Sequence, residues 1–315
     1  MSNVDLVELL SYLLKHAQKP VSGERLARHF SVSRPAIWKH IKQLEKQGFS
    51  IEARPREGYR LVALPQRLSP ILLKARLKRD IIYVPRVNST NDLALKLGLE
   101  NHKNIIVVTD EQTQGRGRWG RTWKSQPDSI ALSFFIYEKI YLESLLPIYL
   151  AVTFSVGKAI QELTGYMPQL HWPNDVFIQG KKAAGILVET FTEGKFAPFL
   201  VVGIGLNVNS HPPFATSLAD LTGHYFDRHY VIDRLVKQWE NTWWNFKKDP
   251  AKIIHLFAKY HPIQILSEIE LDGETHRGLI EGIDNQGRLI FKCGSSSWHL
   301  GLDMVKAVKM TGKIL

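Results

Sequence analysis

The first 64 residues carry the pattern that most narrows what this chain can become. Val4, Leu6, Val7, Leu9, Leu10, Leu13 and Leu14 recur at helical spacing. Ser22 is placed to cap a second, short helix that turns Leu26, Ala27 and Phe30 inward. Ser31-Val32-Ser33 makes a tight connector, and Ser33 caps a third helix. Pro35 falls in its first turn, where a missing amide hydrogen costs nothing. Ile37, Ile41 and Leu44 form the buried stripe of that helix, and Gly48 ends it. Phe49 to Val62 then reads as two short strands around a basic turn, Arg54-Pro55-Arg56-Glu57-Gly58.

Helix, short helix, tight turn, helix and hairpin is the order of a winged helix-turn-helix. The outer face of its third helix would present Arg34, Trp38, Lys39 and Lys42, with Ser33 at its start and Arg54 and Arg56 on the wing. Charge agrees. From Arg25 to Arg60 there are nine basic and three acidic residues, so a large share of the net charge of +11 lies in this stretch. Such a surface favours a polyanion. The competing reading is a basic three-helix protein-interaction domain. Pro65 to Pro70 (PQRLSP), with two prolines and no periodicity, marks a domain boundary.

From residue 70 to about 262 the pattern changes to strands alternating with helices. Strands are expected at Ile81–Val87, Ile105–Thr109, Ser129–Tyr137, Val176–Ile178, Ala184–Glu189 and Val201–Asn209, and helices at Asp92–Leu99 and Ser144–Leu163. Ser89 or Thr90 can serve simply as a helix cap. Residues 115–120 match G-x-G-x-x-G, but the context excludes a dinucleotide fingerprint, because no helix opens after it and three arginines crowd seven residues. A glycine-spaced arginine loop between strands suits close backbone approach and bidentate pairing with carboxylate or phosphate. The alternative is a flexible basic surface loop. The glycines of Val201–Asn209 suit close backbone approach to a ligand. Trp239, Trp243, Trp244 and Phe246 lie on an amphipathic helix and read as core. Cys293, the sole cysteine, reads as a small core residue and excludes an intramolecular disulfide.

Other chemistries lack their marks. There is no G-x-x-x-x-G-K-[ST], G-x-S-x-G, H-E-x-x-H or C-x-x-C. The longest mostly apolar run, Leu145–Gly157, is too short for a membrane span, and no secretory signal is visible at the start. A cytoplasmic protein without a membrane partner is expected.

Five motifs in order carry a resemblance over essentially the whole chain: Ser89-Thr90-Asn91, GRGRWGR (115–121), WPND (172–175), Lys182 within KKAAGILVE (181–189), and GIGLNVN (203–209). Together they resemble biotin protein ligase, and the winged helix in front resembles its bifunctional form, the biotin operon repressor. The stretch including Gly278–Phe291 is similar to the family's small SH3-like β-barrel domain. The resemblance implies an α+β protein. It would have a winged helix-turn-helix (1–64), a central mixed-sheet ligase domain (70–262) and an SH3-like C-terminal domain (263–315). It implies that biotin and MgATP give biotinyl-5′-adenylate and that biotin then passes to a lysine of a biotin carboxyl carrier domain. It also implies that the adenylate-bound homodimer binds operator DNA and represses biotin-synthesis genes.

The residue roles it implies follow the same motifs. Lys182, Arg118 and Arg116 would be catalytic. Ser89, Thr90, Asn91, Gln112, Gly115, Gly117, Trp123 and Gly185 would join them around biotin, with Trp123 covering its apolar rings. Arg121, Asn174, Asp175, Asn207 and Lys306 would join Arg118 and Lys182 at the nucleotide. Mg²⁺ would come with ATP near Asp175, without a fixed protein metal site. Three positions depart from the pattern: His171 where the family usually has lysine, Trp119 where it often has arginine, and no tryptophan beyond residue 210 placed to stack on adenine, for which Phe214 or Tyr225 are the candidates. Two other functions stay open: a non-catalytic biotin-sensing regulator, and a lipoate or other acyl ligase on the same scaffold.

Overall fold

The computed structural model describes residues 4–314. The chain divides into two compact units between Tyr83 and Val84.

The first unit is the expected winged helix. Helices α1 (Leu6–Lys15), α2 (Gly23–His29) and α3 (Arg34–Lys46) precede an antiparallel hairpin, β1 (Ser50–Arg54) and β2 (Gly58–Ala63). Asp5, Ser22 and Ser33 cap the three helices by accepting from the amides of Val7, Arg25 and Ala36. Leu9, Leu10, Leu13, Leu26, Ile37, Ile41 and Leu44 form the core. The hairpin is tied to the entry of α2 by reciprocal hydrogen bonds between Val21 and Tyr59, both 2.8 Å. Gly58 makes this approach possible: its φ is +113°, and a Cβ there would lie 2.1 Å from the Val21 carbonyl oxygen.

The expected boundary at residues 65–70 moves. Helix α4 (Pro70–Leu77) packs on α1, and Leu72 and Ala75 are buried in the first unit's core. Two prolines mark a connector, but the apolar face beyond it completes the first core.

The second unit is built on a seven-stranded sheet of order β3-β4-β5-β11-β9-β8-β7. Its strands are β3 (Ile82–Val87), β4 (Ile105–Gln112), β5 (Ile130–Ile136), β7 (Gln169–His171), β8 (Asp175–Ile178), β9 (Lys181–Glu189) and β11 (Leu200–Leu206). The five pairs from β4 across to β7 are antiparallel. Helix α5 (Thr90–Asn101) connects β3 to β4. A short pair, β6 (Ile140–Tyr141) with β10 (Phe196–Ala197), lies apart from this sheet. Helix α6 (Leu145–Thr164) is long and apolar enough to cross a membrane, yet most of it is buried. It packs against α8 (Arg228–Lys248) and α9 (Pro250–Tyr260), which makes it the core helix of this unit. The short α7 (Leu218–Thr222) begins with a capping box between Ser217 and Asp220.

The C-terminal part is a five-stranded sheet of order β15-β14-β13-β12-β16, as expected of an SH3-like domain. Its strands are β12 (Ile265–Leu271), β13 (Glu274–Ile283), β14 (Leu289–Cys293), β15 (Ser296–Leu300) and β16 (Val305–Ile314), and each neighbouring pair is antiparallel. The Trp172 indole donates to Gly287 O (2.9 Å), joining this sheet to the β7–β8 turn.

Two core assignments need correction. Trp239 and Phe246 are buried, but Trp244 is 60% exposed, because it falls on the outward side of α8. Cys293 is partly exposed at the end of β14, where its thiol lies 3.6 Å from Arg277 O.

Candidate active site

A cleft opens over β4, β9, β11 and the start of α5, with about 50 Å³ of free space between its side chains. It gathers Ser89, Thr90, Asn91, Gln112, Arg116, Gly117, Trp123, Asn174, Asp175, Lys182 and Gly185, residues spread over nearly a hundred positions.

One end is a buried polar network. Ser89 caps α5, accepting from Asp92 N, so the helix cap and the site residue are the same side chain. Thr90 donates from both N and Oγ1 to Gln112 Oε1 (2.8 and 2.9 Å). Ser133 Oγ on β5 lies 2.7 Å from Thr90 Oγ1 and 2.6 Å from Asn91 Oδ1. Asn91 Nδ2 donates to Glu189 Oε2 (2.6 Å). A network this connected is rigid and suits the oriented recognition of a small polar group. Its apolar wall is Trp123, whose buried indole nitrogen has no hydrogen-bond partner among the described residues.

The glycines of β11 serve this packing. A Cβ at Gly203 would lie 2.4 Å from Asn91 Oδ1, and one at Gly205 would lie 2.2 Å from the Trp123 ring. The expectation that they admit a ligand is thus refined: they admit the two side chains that shape the cleft. Gly115 is similarly committed, since Trp123 N donates to its carbonyl (2.9 Å) and a Cβ there would lie 2.5 Å from Trp123 O.

The other end is charged. Lys182 Nζ lies 2.7 Å from Asp175 Oδ1, both side chains being about a third exposed. The backbone on each side is pinned. Asn174 Nδ2 donates to Ile186 O and Ile186 N donates to Asn174 O, each at 2.9 Å. Thr216 N donates to Lys182 O (3.0 Å). This sets a cation between the polar pocket and open solvent. A cation there offsets the repulsion between two anionic reactants.

Several sequence-expected residues lie elsewhere or are otherwise engaged. Arg116 lines the cleft, but its guanidinium forks onto Asp92 (2.9 and 2.5 Å) and reaches Glu189 (3.5 Å). These carboxylates raise its pKa further, and Arg116 in turn holds Asp92 below the usual carboxylate range. Arg118 donates to Leu302 O (3.0 Å) and Val305 O (2.9 Å), and Arg121 to Lys306 O (3.1 Å). Burial lowers the Arg118 pKa, while the nearby Tyr149 and Asp175 act the other way. Asn207 is buried and donates to Thr216 O (3.1 Å), which makes it a strut for the 210–217 loop. Lys306 pairs with Glu270 (2.6 Å) on the C-terminal sheet. Trp119, with φ +57°, is 54% exposed and donates to Val305 O (3.2 Å).

His171 is partly buried and stacks on Phe177 at 3.8 Å. Burial, and then the charge of Lys182, push its pKa down to about 4, so the imidazole is neutral at pH 7. Of the two aromatic candidates, Phe214 is fully exposed and precedes Ala215, which bridges to Lys182; Tyr225 is 64% exposed. Among the described residues no cluster of three His, Cys, Asp or Glu side chains could hold a metal ion.

Asp92, Ser133 and Glu189 were missed. A serine inside the apolar run SIALSFFIY was a legible signal for Ser133. The two carboxylates gave none, because their partner, Arg116, is distant in sequence.

In the first unit Arg34, Arg54 and Arg56 line one groove. Ser33, Arg34, Trp38, Lys39, Lys42, Arg54 and Arg56 are all exposed on α3, its cap and the hairpin turn. Arg54 is paired with Glu52 and Glu57, and Lys42 with Glu45.

A chain that carries both this cleft and a helix-turn-helix unit is of the class of protein ligases with a DNA-binding type of domain. Residues 83–207 match the biotin/lipoate A/B protein ligase family, and residues 7–60 match a helix-turn-helix domain. The chain is 32% identical over 306 residues to the bifunctional ligase/repressor BirA of Bacillus subtilis, covering 91% of this chain and 93% of that one. It is 32% identical over 235 residues to the biotin–[acetyl-CoA-carboxylase] ligase of Mycobacterium tuberculosis, covering 69% of this chain and 84% of that one. Its fold matches a biotin protein ligase from Aquifex aeolicus, solved in complex with biotin and ATP, with a TM-score of 0.63. That match has 27% identity and covers 74% of this chain and 100% of that one. The chain belongs to the bifunctional ligase/repressor family of biotin protein ligases.

Proposed function

We propose that the cleft joins biotin to AMP and that the same protein, loaded with the product, represses transcription. Biotin lies in the polar pocket of Ser89, Thr90, Asn91 and Gln112 under Trp123, with its carboxylate toward Lys182. A carboxylate oxygen attacks the α-phosphorus of ATP and pyrophosphate leaves. The acceptor lysine of a biotin carboxyl carrier domain then attacks the acyl carbon, and AMP leaves. Lys182 offsets the charge of both anionic partners. Asp175 positions Lys182, and Mg²⁺ accompanies ATP at this end. The protein needs no nucleophile of its own.

The observation that carries this reading is the Lys182–Asp175 pair between a buried polar network and open solvent. Arg116 supports it indirectly, since it neutralises Asp92 and Glu189 at the rim. Arg118 and Arg121 hold the 115–121 loop on the C-terminal sheet. Adenylate-bound homodimers would present two helix-turn-helix units to an inverted repeat. Work on ATP and on operator DNA would belong in the cytoplasm.

One assay tests it: incubate the protein with ATP, a carrier domain, and biotin, lipoate or octanoate, and weigh the carrier by mass spectrometry. Biotin-dependent mass gain is expected. Gain with lipoate alone would make it an acyl ligase of another specificity, and no gain with any acid would leave a biotin-sensing regulator.

A further inference from the structure

The first unit exposes a large apolar side chain that its core does not use. α3 buries Ile37, His40, Ile41 and Leu44, whereas Trp38, the fifth residue of the helix, is 55% exposed. Its companions on the outward side are cationic. Arg34 lies one turn earlier, Lys39 beside it and Lys42 one turn later, all exposed. No acidic residue occurs from Arg34 to Lys42. Apolar area left in water is recovered when a partner covers it, and the charge of this face makes that partner a polyanion.

The position narrows the contact. α3 is the second helix of the helix-turn-helix, whose N-terminal residues meet base edges in the major groove. An indole offers an apolar ring and one N–H donor but no acceptor. Among the bases only thymine sets a methyl group beside a lone acceptor there; guanine shows two acceptors, adenine an acceptor and a donor, and cytosine a donor. We infer that Trp38 reads a thymine in each operator half-site, its ring covering the 5-methyl group. This rests on the repressor reading above and deepens it by naming the base.

The test uses the full-length protein with biotin and ATP. Its probe is the sequence that it enriches from a random duplex pool, with thymines replaced one at a time by deoxyuridine, which removes only the methyl group. At one thymine per half-site the wild-type protein should lose about fourfold in affinity, the equivalent of about 0.8 kcal/mol for one buried methyl. Trp38→Ala should bind the thymine duplex more weakly and ignore the replacement there. Trp38→Phe, which keeps an apolar ring, should retain part of the discrimination, and Arg34→Ala should weaken binding but keep it. Wild-type indifference to deoxyuridine at every position, or unchanged discrimination in Trp38→Ala, would overturn the inference while leaving the repressor reading intact. A pool from which nothing is enriched would instead overturn the repressor reading, and the inference with it.

Discussion

Replacing Lys182 by alanine should do two things at once. It removes the cation at the junction, and it leaves the Asp175 carboxylate, 2.7 Å away and 28% exposed, without its partner. The site changes by one positive charge where two anions must meet. At about 4 Å and an effective dielectric near 20, one charge pair is worth about 4 kcal/mol. Partial exposure of both side chains screens that figure to about 2 kcal/mol. Loss of one preorganised donor to a developing oxyanion costs about a hundred- to a thousandfold in rate. Lys182→Ala should therefore slow pyrophosphate release on the order of a hundredfold or more, with a smaller loss in biotin affinity by calorimetry. The pair makes a sharper statement. If the stranded carboxylate contributes, adding Asp175→Asn to Lys182→Ala should restore roughly tenfold, although Asp175→Asn alone slows the wild-type enzyme. A double variant no faster than Lys182→Ala would show that Asp175 does not act through this pair. Near-normal pyrophosphate release by Lys182→Ala would refute the site assignment.

Other perturbations test other parts of the structure. Gly205→Ala places a methyl 2.2 Å from the Trp123 ring, so the indole must leave its seat; biotin affinity should fall at least tenfold, while the midpoint of thermal unfolding moves little. His171 and His261 both have pKa values pushed down to about 4, chiefly by burial. The unfolded chain binds these protons near pH 6.5, so stability should fall as pH drops from about 6.5 to 4, by up to about 1.4 kcal/mol per pH unit for each histidine. His171→Gln should flatten that slope in urea titrations. Limited trypsin digestion should cut the 116–121 loop, and biotin plus ATP should protect it; equal cleavage in both states would refute ligand ordering of this segment.

The elements that hold the fold were largely legible because each is marked locally. Ser22 and Ser33 cap the helices they were expected to cap, and the hairpin turns where Arg54–Gly58 required. Helix α4 was not assigned because its prolines mark a connector, whereas its allegiance to the first core depends on what Leu72 meets in space. The cleft was legible through the same rule. Ser89, Thr90, Asn91, Gln112 and Lys182 sit at element ends whose order brings them together.

What the sequence hid is the set of partners that bear no sequence mark. Arg118 and Arg121 were assigned to the nucleotide because a guanidinium seeks an anion, and Trp119 stood out only as a departure from the family pattern. Here they bind the carbonyls of residues 302–306, groups that every residue possesses and no pattern reveals. Arg116 followed its rule but found Asp92, an acid already within the fold. The consequence is chemical as well as descriptive. Loop arginines held by neutral carbonyls are not tied directly to a carboxylate, while Arg116, already paired with a carboxylate, has little left to offer. The cations free to meet a phosphate are therefore those whose present partners are weakest, and by that measure Arg118 and Arg121 rank above Arg116.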